Sequence, residues 1–111
     1  MKFKTKILTT AIILAAATCT TQAADVKENW DKNCASCRGK DGKGDTKAGK
    51  KAQVKDLTDA KHQASFTDEK AIKQIKEGMK EGNRERMKPF ASKLTDDEIK
   101  ALVGHLRIFK K

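Results

Sequence analysis

Cys34 and Cys37 stand three residues apart, at the end of a stretch in which Val26, Trp30 and Cys34 recur at four-residue steps. That recurrence places the three side chains on one face of a helix opened by Asp25. Directly after the pair, Gly39, Gly42, Gly44 and Gly49 punctuate a Lys- and Asp-rich segment that reads as a loop. The two sulfurs therefore lie where a helix meets a loop, Cys34 on the same face as Trp30. Such a pair can tether a group, close a disulfide or ligate a metal, and the rest of the chain has to decide which. A zinc site is disfavoured, because two Cys and two distant His do not have the usual paired spacing. A thioredoxin-like dithiol needs βαβ strands, and no segment alternates with period two for long enough to give one. A thiol–disulfide protein, or a binding protein without a cofactor, using Cys34 and Cys37 remains the alternative function.

The chain begins as an exported one does. Lys2, Lys4 and Lys6 precede the uncharged apolar stretch Ile7 to Ala17, and small residues stand at Thr21 and Ala23. This order marks a secretory signal over residues 1–23, cleaved after Ala23. The apolar part is too short to span a membrane comfortably. The domain is then 24–111, in the periplasm or secreted, with Cys19 removed and only Cys34 and Cys37 left. Loss of three lysines lowers the formal net charge from +10 to +7.

Three helices are expected in the mature chain. After the first, Thr67 is an N-cap with Asp68 and Glu69 in the first turn, where the helix dipole favours anions. Ala71, Ile72, Ile75 and Met79 form its apolar stripe, and Gly78 and Gly82 are candidates for its end. Thr95 and Glu98 make a capping box for the third helix, flanked by Leu94 and Ile99 as a hydrophobic staple. Its buried face continues through Leu102, Val103 and Leu106 to Ile108 or Phe109. Between the first two helices, Val54, Leu57 and Phe66 pin a long loop or short helix to the core. The helix signals are strong but the grease is scarce: Leu, Ile, Val and Phe make up 14 of residues 24–111. A highly charged chain with less than about 20% of these residues is usually disordered. A large apolar group could complete the core.

Cys-x-x-Cys-His is the attachment signal for haem c, two thioethers with the following histidine bound to iron. Cys34-Ala35-Ser36-Cys37 has the cysteines. With Gly39-Lys40-Asp41-Gly42-Lys43-Gly44 after them, Met87-Lys88-Pro89-Phe90 further on and Leu94-Thr95-Asp96-Asp97-Glu98-Ile99 opening the last helix, the chain resembles small bacterial monohaem cytochromes c over nearly all of residues 24–111. The resemblance implies an all-α cytochrome c-like fold around one covalent haem, held by Cys34 and Cys37, with the first and last helices packed across each other. It implies Met87 as the distal iron ligand, a monomeric electron carrier rather than an enzyme, and a partner that is the acidic surface of a redox protein or oxidase. Nucleic acid is not expected: the chain is exported and has no aromatic series for stacking bases.

The chain departs from that family at Arg38, which stands where the family has its proximal histidine. A guanidinium has no usable lone pair and stays protonated at ordinary pH, so it cannot take the place of imidazole on iron. Haem loading or ligation is expected to be impaired. His62 is read as a loop histidine and His105 as a helix-packing one, rather than as replacement ligands.

Overall fold

The structure is a computed structural model that describes residues 21–111, with side chains from Asp25 onward. The leader expected over residues 1–23, with Cys19, lies outside it apart from the backbone of its last three residues. In chain order the elements are α1 (Thr21–Asn33), α2 (Ala35–Arg38), α3 (Lys47–Ala52), α4 (Ala60–Ala64), α5 (Asp68–Glu77), β1 (Met79–Glu81), β2 (Arg84–Met87) and α6 (Asp96–Arg107). The three long helices are the expected ones, except that the first begins at Thr21 rather than at Asp25. The Gly-rich loop is shorter than expected, because α3 begins inside it behind an N-cap at Thr46, whose hydroxyl accepts from the Gly49 N–H.

Local chemistry explains the helix ends. Thr67 caps α5 by accepting from the Lys70 N–H, and Gly78 ends it at φ +78°. At α6 the capping box is complete: Thr95 Oγ1 accepts from the Glu98 N–H at 3.1 Å, and Glu98 Oε1 accepts from the Thr95 N–H at 3.0 Å. A cap of this kind stabilises by about 1 kcal/mol.

Helices α1 and α6 pack against each other, and α6 also packs on α5. The core gathers Trp30, Leu57, Ile75, Phe90, Leu94, Ile99, Leu102, Val103 and Leu106. Asn29 Nδ2 donates to Glu98 Oε2 at 2.9 Å and ties α1 to the start of α6. At the other end of α6, Phe109 packs against Trp30 whereas Ile108 is 70% exposed, which settles the choice between them. Arg107 joins α6 to α4 and α5. Its guanidinium donates to the Gln63 and Phe66 carbonyls, pairs with Asp68 at 2.9 Å and lies over the Phe66 ring.

The structure adds a β-hairpin. β1 and β2 pair antiparallel, with Met79 opposite Met87 and an irregularity after Met79. Met79 therefore leaves the helical stripe assigned to it, because Gly78 breaks α5 one residue earlier. The strands are too short for alternation to show in the sequence.

Candidate functional site

The turn bearing the two cysteines is held by backbone and side-chain hydrogen bonds. The Cys34 N–H donates to the Trp30 carbonyl at 2.9 Å, so the turn continues directly from α1. The Arg38 N–H donates to the Cys34 carbonyl at 2.9 Å, and the Gly44 N–H returns to the Arg38 carbonyl at 2.8 Å. Thr46 Oγ1 donates to the Cys37 carbonyl at 2.7 Å, and the Trp30 indole N–H donates to the Gly39 carbonyl at 3.0 Å. Gly49 in α3 lies so close to this turn that a Cβ there would collide with the Cys37 carbonyl. Glycine lets the two backbones approach.

Across from the turn, the hairpin is fastened to the C-terminal end of α3. Arg86 donates from Nε to the Ala52 carbonyl at 3.1 Å and from Nη2 to the Gln53 carbonyl at 2.6 Å, and Arg84 donates to the Lys51 carbonyl. The last carbonyls of a helix lack intrahelical partners and carry partial negative charge, so a guanidinium is well matched to them. Behind Met87, the Phe90 N–H donates to the Ile75 carbonyl at 2.9 Å and returns the chain to α5.

Turn and hairpin border one cavity of about 560 Å³. Cys34, Cys37 and Met87 all line it, together with Trp30, Leu57, Phe66, Ile75, Leu102 and Leu106. Both cysteines are free thiols and half-buried. Burial pushes the Cys34 thiol up to about 11. His62 also lines the cavity, with its imidazole shifted toward the neutral form by burial and by the charge of Arg38. His105 does not line it. Its ring centroid is 5.2 Å from that of Trp30, the helix-packing position expected of it.

Arg38 lines the same cavity. Burial lowers the pKa of its guanidinium, and Arg86, a like charge, acts in the same direction. It forms no ion pair or side-chain hydrogen bond among the described residues.

The cavity volume lies within the ~300–1,000 Å³ of cofactor pockets, the walls are largely apolar, and two thiols and a thioether sulfur line the same space. Cys34 and Cys37 would hold the thioether edge of a macrocycle here, and Met87 would supply one axial ligand. The residue after Cys37 cannot supply the other axial ligand, because it is a cation without a free lone pair. Sequence reasoning identified Cys34, Cys37, Arg38 and Met87. It missed the two arginines that fasten the hairpin, since each Arg-to-carbonyl contact spans more than thirty residues and leaves no local pattern.

Helices packed around a cavity bordered by Cys-x-x-Cys and a methionine define the c-type cytochrome class. Residues 21–106 match the family described as cytochrome C oxidase, cbb3-type, subunit III, and the chain belongs to this cytochrome c family. Among solved structures it is similar to the KustC0563 c-type cytochrome, at 40% identity and a TM-score of 0.69, over 77% of this chain and 96% of that one. A point mutant of that protein aligns with a TM-score of 0.68 at 40% identity, over 78% of this chain and 99% of the other. A search of curated proteins finds no match. The cytochrome c-like fold expected from the sequence is the fold of the chain.

Proposed function

We propose that this protein is an exported electron carrier, not an enzyme. Its cofactor is one haem c held covalently by Cys34 and Cys37, with Met87 as the distal ligand. A bound haem supplies one-electron storage. The chain supplies the apolar enclosure, the two thiols and the thioether sulfur, a soft ligand that raises the potential of haem c. The observation that carries this reading is the convergence of Cys34, Cys37 and Met87 on one largely apolar cavity in a member of the cytochrome c family. Arg38 impairs loading or ligation, because it puts a fixed charge where an imidazole should bind. The protein works in the periplasm or after secretion, as a monomer. It docks to an acidic face of a redox protein or oxidase, and four of the residues lining the cavity are lysines, Lys32, Lys55, Lys88 and Lys93.

The thiol–disulfide alternative has less support. Reactive cysteines have lowered pKa values, whereas the Cys34 thiol is pushed up to about 11. The test is export of the chain and of Arg38→His side by side in a host that matures c-type cytochromes, with pyridine haemochrome spectra and intact masses. Arg38→His should carry one covalent haem and show a low-spin spectrum, and the unaltered chain should carry less. Free or disulfide-linked cysteines in both proteins would defeat the haem reading.

A further inference from the structure

The half-buried guanidinium of Arg38 faces a cavity whose other walls are largely apolar, and no carboxylate among the described residues pairs with it. A buried charge without a partner is costly, and a guanidinium does not escape by losing its proton. Arg86 and the four lysines Lys32, Lys55, Lys88 and Lys93 share this lining with a single acidic residue, Glu85. The charge of the cavity therefore complements an anion. A small inorganic anion would leave the apolar walls unsatisfied, so the ligand must also bring an apolar body. A guanidinium binds a carboxylate through two parallel hydrogen bonds.

We propose that the haem-free chain binds a long-chain monocarboxylate in this cavity, the carboxylate on Arg38 and the tail against Leu57, Phe66, Ile75, Leu102 and Leu106. The inference rests on the impaired loading proposed above, because a covalent haem would fill the same space. At about 560 Å³ the cavity is of ordinary size for a small amphiphile.

The experiment uses the exported chain, shown haem-free by intact mass. Trp30 is the only tryptophan and lines the cavity, so its fluorescence reports occupancy. Sodium dodecanoate, the neutral dodecan-1-ol and haemin are titrated separately into the unaltered chain, Arg38→Leu and Arg38→Lys. Dodecanoate should bind saturably at one per chain, and at least about tenfold more weakly to Arg38→Leu, the loss expected for a charge-assisted hydrogen bond. Arg38→Lys should fall between the two, and dodecan-1-ol should not distinguish the variants. Equal dodecanoate affinity for the chain and Arg38→Leu, or dodecan-1-ol binding the unaltered chain as tightly as dodecanoate, would overturn the proposal. Binding of haemin alone would do the same. The comparison of acid with alcohol within the unaltered chain stands even if Arg38→Leu fails to fold. A chain fully loaded with haem overturns the impaired loading and this inference with it, whereas a haem-free chain that ignores dodecanoate overturns this inference alone.

Discussion

The rings of Trp30 and Phe109 lie 5.1 Å apart between centroids and tilted by 44°, so the residue after Ile108 closes over the C-terminal part of α1. Trp30 also lines the cavity and donates its indole N–H to the Gly39 carbonyl. One side chain thus joins α1, the end of α6, the turn bearing the cysteines and the cavity wall.

Trp30→Ala should therefore destabilise the fold by about 3–5 kcal/mol, the usual cost of emptying a buried aromatic site. Trp30→Phe keeps most of the packing and removes one of the two hydrogen bonds to the Gly39 carbonyl, which still accepts from the Gly42 N–H, at a cost of about 0.5–1.5 kcal/mol. Urea unfolding followed by far-ultraviolet circular dichroism measures both. A Trp30→Ala variant as stable as the unaltered chain would mean that this contact is not part of the core in solution.

Met87 owes its place to Arg86, the residue before it, which holds the hairpin to the α3 carbonyls. In haem-loaded Arg38→His, the further change Arg86→Ala should weaken methionine ligation and lower the reduction potential, and Arg86→Lys should lower it less. Potentiometric titration with optical detection of the methionine–iron band reads this directly. An unchanged band and potential in Arg86→Ala would show that the hairpin holds Met87 without the arginine.

Burial lowers the pKa of His62 and of His105 in the folded chain. Below about pH 6.5, where unfolded histidines take up protons, the unfolded state binds more protons than the folded one, and stability rises with pH. Their contribution is complete above that pH and is lost as pH falls through the folded values. The melting temperature should fall from pH 7.5 to pH 5, and His62→Gln with His105→Gln should flatten the slope. An equal slope in the double variant would shift the acid sensitivity to carboxylates such as Glu98, held low by the Thr95 backbone N–H and the Asn29 amide.

Docking to an acidic redox partner should be steered by the lysines around the cavity. The Debye length falls from about 10 Å at 0.1 M salt to about 3 Å at 1 M, so the association rate of haem-loaded Arg38→His should drop over that range. Stopped-flow electron transfer to an acidic redox protein measures it. A rate flat in salt would remove electrostatic steering.

The three long helices were legible because each is written locally. Thr67 and Thr95 announce helix starts, Glu98 completes a box three residues on, and the apolar stripes follow at helical spacing. The hairpin was not legible: three- and four-residue strands carry too little alternation, and only the pairing of Met79 with Met87 makes them strands. α3 was hidden among glycines and lysines that look like loop until Gly49 is seen pressed against the Cys37 carbonyl.

By itself the sequence determined which residues are candidates for the site. Cys34, Cys37 and the cation at Arg38 are neighbours in the chain, and their spacing and chemistry hold in any fold. Only the tertiary structure decided what shares a cavity with them. Met87 and His62 reach that cavity and His105 does not, although the local sequence set His62 in a polar stretch and His105 beside Leu102 and Leu106. The reason is that convergence on a cavity depends on long-range contacts. Here these are Trp30 on Phe109, Arg107 on Gln63 and Phe66, and Arg86 on the end of α3. Each joins residues too far apart along the chain for any local period to record them.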